Sequence, residues 1–128
     1  MQLKDKGLFR EQCYVNGEWV DADRGATFDV INPANNQRLG SVPKMGAAET
    51  RRAVQSASDA YPPWRALTAK ERGAILRKWY ELMLQHQEDL ALLMTSEQGK
   101  PLPEARGEVL YGAAFIDWFA EEGKRTYG

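Results

Sequence analysis

The chain has 128 residues, 43% hydrophobic and 27% charged, with 17 Lys+Arg against 18 Asp+Glu. These values fit one globular unit of ordinary size and exclude a disordered chain. A net charge of −1 argues against a protein that coats nucleic acid or an anionic membrane, and no apolar run approaches the ~20 residues of a membrane helix.

The opening "MQLKDKGLFREQ" lacks the apolar core of a signal peptide. With one cysteine, Cys13, no disulfide can close within the chain, so a cytoplasmic location is expected. Cys13 and the single histidine, His86, cannot make a Cys/His zinc site. A Cys–His nucleophilic pair is formally open. A semi-buried thiol and a surface imidazole are the plainer assignment.

In chain order, "CYVNGEWV" holds Asn16-Gly17 between β-favouring residues, which predicts a tight hairpin. "ATFDVIN" meets turn chemistry in "NPANNQ", and "RLGSVP" reads as its partner strand. Residues 1–43 are thus expected to form a small antiparallel β unit, and 44–128 a helical part. The first helix is expected over 47–61, with Ala53, Val54, Ala57, Ala60 and Tyr61 as its stripe, and "PPW" stopping it.

Thr68 with Glu71 predicts a capping box for the second helix, whose buried stripe would be Ile75, Leu76, Trp79, Leu82 and Met83. A third helix is expected over 87–97. Glu88 and Asp89 suit its positive end and Gly99 is its C-cap. The fourth should start near Pro103 and run to about Tyr127. Its "VLYGAAFIDWFA" carries one charge in twelve residues, so it is apolar nearly all round and needs cover on several sides. The expectation is that further polypeptide or a partner supplies that cover.

Candidate chemistry is sparse. Gly99-Lys100 looks like a phosphate loop, but Met94 stands where the earlier glycine should be and Pro101 follows the lysine. Proline removes a donor N–H, so the P-loop reading fails. No G-x-G-x-x-G occurs. Glu104 and Glu108 share a helix face at i, i+4 and could support acid–base work. A solvated face, or ion pairs with Arg106 and Lys124, is the commoner arrangement. Tyr111, Phe115, Trp118 and Phe119 could line a pocket or pack on a missing neighbour. The residues alone assign no catalytic and no cofactor-binding group.

The segments "YVNGEWVDA", "FDVINPANNQRLGSVPKMG", "WRALTAKERGAILRKWYELM", "LALLMTSEQGKPLPEARGEV" and "FIDWFAEEGKR" together resemble the N-terminal part of the aldehyde dehydrogenase superfamily. The likeness runs in register from Phe9 to Gly128. "EQGKP" with "FAEEGKR" is nearest to the NADP-preferring bacterial succinate-semialdehyde dehydrogenases.

The resemblance implies an α/β parent enzyme, in which this chain is part of the coenzyme-binding domain. It implies NADP or NAD as the parent's cofactor, a small aldehyde substrate, a homo-oligomer, and the remaining polypeptide as partner. The family's catalytic cysteine, its water-activating glutamate, its oxyanion-holding asparagine and its cofactor-binding lysine lie in later segments. The isolated chain is therefore expected to be inactive. By resemblance, Glu108 and Tyr111 match positions near the substrate entrance. The backbone of Val30 and Ile31, with Glu97, matches a monovalent-cation site. A free-standing interaction or oligomerisation module derived from such an N-terminus is the alternative.

Overall fold

A computed structural model describes residues 1–126. Two antiparallel strand pairs precede four helices, as the sequence implies. The first pair is β1 (Cys13–Val15) and β2 (Glu18–Val20). Asn16 (φ 52°) and Gly17 (φ 84°) take the positive dihedrals of the tight turn between them. Tyr14 opposes Trp19 with ring centroids 5.1 Å apart, and the Arg10 guanidinium covers the Trp19 ring at 4.9 Å. The second pair is β3 (Thr27–Ile31) and β4 (Arg38–Pro43), with a bulge at Val30/Ile31.

Helix α1 (Ala47–Ala66) runs through Pro62 and Pro63 rather than stopping before them. The two prolines leave the carbonyls of Ser58 and Asp59 without their ladder donors, and beyond them the Arg72 guanidinium, one helix on, donates to the carbonyls of Arg65 and Leu67 at the helix end. The expected stripe of α1 is not covered: none of its residues is buried, and Val54 and Tyr61 are exposed.

Helix α2 (Ala69–Gln85) starts at the capping box as read: Thr68 N–H donates to Glu71 Oε2 at 2.8 Å, and Glu71 N–H to Thr68 Oγ1 at 3.3 Å. Its inward face differs from the expected one. Leu76 and Met83 are half-buried, while Ile75, Trp79 and Leu82 are exposed. The face turned to the core is centred on Gly73, the only fully buried residue of α2.

Helix α3 (Gln87–Gln98) ends on Gly99 at φ 81°, and α4 (Leu102–Glu122) follows after two residues. Among the described residues α4 ends at Glu122, with Gly123 as its cap. The expected run to about Tyr127 stops short: residues 123–125 form a turn and bend rather than helix, and Tyr127 itself lies outside the described residues.

The core sits where α4 packs on α2 and α3. Ala91, Ala105 and Val109 are buried together, with Leu90, Met94 and Leu102 around them. On the α2 side, a Cβ placed on Gly73 would lie 3.1 Å from the Ala120 carbonyl oxygen and 2.8 Å from Lys124 Cε. Small residues therefore set the helix spacing. Arg77 of α2 reaches Asp117 of α4 at 2.6 Å, and Arg106 of α4 grips Glu88 of α3 through two nitrogens.

Replacing Gly73 with Val should push α4 off α2. The flexible Lys124 end can move, but the Ala120 carbonyl is backbone. Chemical denaturation should show a loss of about 1–3 kcal/mol, typical of overpacking, despite the better helix propensity of valine over glycine.

Candidate functional site

The chemistry-bearing residues gather around the α3–α4 junction and the outer face of α4. Gly99 adopts the left-handed conformation that most side chains resist. Its open Cα face meets Pro33, just after β3: a Cβ there would lie 3.0 Å from Pro33 Cγ. The Gly-Lys pair is thus a helix stop packed against the β3–β4 turn, with no phosphate cradle.

Lys100 points to Glu108 and forms an ion pair with it. The hydrogen bond that Lys100 donates to Glu108 holds the Lys100 ammonium above its ordinary value, so Lys100 stays charged at neutral pH. Glu108 therefore has Lys100 as its partner, and Arg106 goes to Glu88 instead. Three further acids of α4 are also occupied, Asp117 with Arg77, Glu121 with Lys124 and Glu122 with Arg125, while Glu104 forms no ion pair among the described residues. Of the two expected cations, only Lys124 bonds to an α4 carboxylate, at 2.8 Å. These exposed pairs describe a solvated charged face rather than an acid–base dyad.

The side of α4 that faces away from the helix core is aromatic. Tyr111 stands edge-on to Phe115, with centroids 4.8 Å apart and planes at 86°. Tyr111, Ala114, Phe115, Trp118 and Phe119 line a shallow groove of about 360 Å³. Tyr111, Trp118 and Phe119 are 67%, 63% and 60% exposed. The buried face of the same helix is Ala105, Val109, Ala113 and Ala120. The helix is therefore apolar on two opposite sides, and this structure covers only one.

The other candidates lie elsewhere. Cys13 is a half-buried thiol on an open groove of about 680 Å³ between the hairpin and α1, beside Val15, Val20, Met45 and Ala53. His86 lies at the α2–α3 junction and lines a different cavity with Lys4 and Asp89, so the two do not share a groove. Val30 is half-buried at the bulge, and Ile31 and Glu97 are exposed. The contact of Pro33 with Gly99 brings the two chain segments that carry them near each other. Among the described residues no group of three His, Cys, Asp or Glu side chains could hold a metal ion. No helix among them is long and apolar enough to cross a membrane.

Sequence reasoning missed one polar site. Asp89, read as a helix-end acid, is 5% exposed and accepts hydrogen bonds from the backbone N–H groups of Lys4 (2.9 Å) and Asp5 (2.8 Å). These bonds hold its carboxyl below the usual range. No local pattern announces a partner so distant in the chain.

Residues 19–128 match the profile described as the aldehyde dehydrogenase family. The chain belongs to that family. Over all 128 residues it is 66% identical to a glutarate-semialdehyde dehydrogenase of Pseudomonas putida. It is 65% identical to an NADP(+) succinate-semialdehyde dehydrogenase of Escherichia coli. It covers 27% of the length of each, so the chain spans about a quarter of these curated relatives.

Among solved structures, an E. coli NADP-dependent enzyme superposes with a TM-score of 0.96 at 64% identity, over 98% of this chain and 26% of that one. A succinate-semialdehyde dehydrogenase of Burkholderia pseudomallei gives 0.96 at 57% identity, over 100% and 27%. In these enzymes the matching part is an N-terminal fragment.

The uncovered face of α4 gives a direct test. In the purified chain, replacing Trp118 and Phe119 with Ser should lower self-association and binding of a hydrophobic dye, because both rings are largely exposed. Sedimentation and dye fluorescence read the effect. The thermal midpoint should change little, since neither ring belongs to the buried cluster.

Proposed function

We propose that this chain is the N-terminal segment of an NAD(P)-dependent aldehyde dehydrogenase that oxidises succinic semialdehyde to succinate. The observation that carries the reading is the 65% identity to the E. coli succinate-semialdehyde enzyme over every residue of the chain. The P. putida relative is named for glutarate semialdehyde, which differs by one methylene. A single methylene changes specificity only ~10–200-fold, so both aldehydes belong to the proposed substrate class, with succinic semialdehyde preferred.

In this reading the chain supplies structure and no reacting group. The family chemistry joins a thiolate nucleophile to a nicotinamide cofactor. Cys13 faces the hairpin–α1 groove, and α4 begins at Pro101–Leu102 without a glycine-rich turn. Thiolate and cofactor site therefore belong to the remaining polypeptide, which also covers the aromatic face of α4. The whole enzyme is a cytoplasmic homo-oligomer. Its NAD(P) is bound outside this segment.

Two smaller assignments accompany this. Glu108 and Tyr111 border the substrate entrance. Lys100 fixes Glu108 on one flank, and Tyr111 stands exposed on the other side of the groove edge. The carbonyls of Val30 and Ile31, with Glu97, hold a monovalent cation at the point where the β3–β4 register shifts, Val30 pairing with Gly40 and Ile31 with Arg38.

A second reading is a free-standing interaction module, favoured by the same exposed aromatic face. The reading frame after Gly128 separates the two. A continuing frame with a later catalytic cysteine supports the enzyme, and a stop codon supports the module.

Incubated with succinic semialdehyde and NADP+, the purified 128-residue chain should produce no NADPH. The polypeptide that continues past it should, with kcat/KM higher for succinic than for glutaric semialdehyde. Turnover by the chain alone would overturn the assignment of the reacting groups. In the continuing enzyme, Tyr111→Ala should raise KM for the aldehyde several-fold and leave KM for NADP+ unchanged. An equal rise in both would remove Tyr111 from the entrance. Glu97→Gln should abolish activation by potassium; unchanged potassium dependence would dismiss the cation site.

A further inference from the structure

The first eleven residues lie outside the family-matched range of 19–128, yet they connect the two layers of the fold. At one end, the amides of Lys4 and Asp5 point at the buried Asp89 carboxylate in the first turn of α3, one N–H to each oxygen. Asp5 then caps a short 3-10 turn, Lys6–Leu8, by accepting from Gly7 N–H at 2.8 Å.

At the other end, Phe9 and Glu11 close over β4. A Cβ on Gly40 would come 2.7 Å from Phe9 Cζ and 2.8 Å from Glu11 Oε1. The same Glu11 oxygen accepts from Ser41 N–H at 2.8 Å. Gly40 pairs with Val30 beside the bulge. The segment thus reaches from the start of α3 to the middle of the β3–β4 ribbon.

The two layers have few other ties. Among the described residues, the hydrogen bonds to Asp89 are the only ones joining residues 1–46 to α2, α3 or α4. The loop before α1 bonds instead to α1 itself, through Asp23 with Glu49 and Arg52. Pro33 against Gly99 adds an apolar touch at the far end of α3.

We propose that residues 4–11 are a detachable strap, received by the Asp89 carboxylate and clamped over Gly40, that sets the position of the β3–β4 ribbon against α3. The carboxylate suits this task. Two adjacent amides match its two oxygens, and its burial makes the bonded geometry stringent, because an unmatched carboxylate in that place is costly. Gly40 suits the other end, because any side chain there would displace Phe9 or Glu11. Opening the strap leaves the helix layer folded, since the Ala91, Ala105 and Val109 cluster contains no strap residue. It frees the ribbon instead.

The strap does not depend on the catalytic assignment, and its test reads no activity. Amide hydrogen exchange is followed by mass spectrometry in the intact polypeptide, for Asp89→Asn, for deletion of residues 1–7, and for the two combined. Each single variant should speed exchange over 27–31 and 38–43 by about ten-fold, as a local opening does, and leave α2 and α4 unchanged. The combined variant should add nothing, because both changes remove one interaction. Unchanged exchange in the ribbon, or additive effects, would overturn the strap. Should Asp89→Asn fail to fold, the deletion variant decides alone: it leaves Asp89 in place, and a ribbon that exchanges as before removes the proposal.

Discussion

Everything in this fold hangs on how closely α4 can approach α2. Gly73 on one helix and Ala120 on the other leave no room for a further carbon, and Ala105, Ala113 and Val109 continue the narrow face along α4. Small residues bring two backbones together, and the dispersion contacts of a close-packed interface do the rest. Directional ties then fix the register: Arg77 to Asp117 on one side of α4, and Arg106 to Glu88 on the other.

The same economy on the inner face explains the outer one. A helix whose small residues are spent on α2 and α3 has its bulk left over: Tyr111, Phe115, Trp118 and Phe119 project away from the core. Burying one such side chain fully is worth roughly 1.5–3 kcal/mol, so several together give a strong tendency to find cover. The relatives, about four times as long by the 26–27% that this chain covers, offer a ready source of it. Of the charged residues of α4, Arg106 pairs with α3, Glu108 with Lys100 in the α3–α4 link, Asp117 with α2, and Glu121 and Glu122 with Lys124 and Arg125 just past its end.

Much of this was legible in the residues, though unevenly. The hairpin followed from Asn16-Gly17 and the start of α2 from Thr68 and Glu71, because turns and caps are closed by neighbours in sequence. The C-cap at Gly99 was local in the same way. Where a distant group intervened, the reading failed. The double proline did not end α1, and the carbonyls at its actual end are instead met by Arg72 from the next helix. The buried face of α2 was misjudged because periodicity marks which residues are apolar but not which side a neighbour occupies, and Gly73 carries no hydropathy signal. Asp89 was read by its helix position, while its real partners are Lys4 and Asp5. Among the candidate site residues, Glu108 was placed correctly on an ion-paired face, but its cation is Lys100 rather than Arg106.

The sequence by itself determined the order of the elements, the turns between them, the family, and the excess of apolar surface on the last helix. Each of these depends on residue types within a few positions of one another, or on their sum. Only the tertiary structure decided which apolar residues were covered, which ions paired, and that the first residues of the chain strap α3 to the ribbon. Those outcomes depend on which surfaces meet in space, and hydrogen bonds and van der Waals contacts act over a few ångströms whatever the separation along the chain.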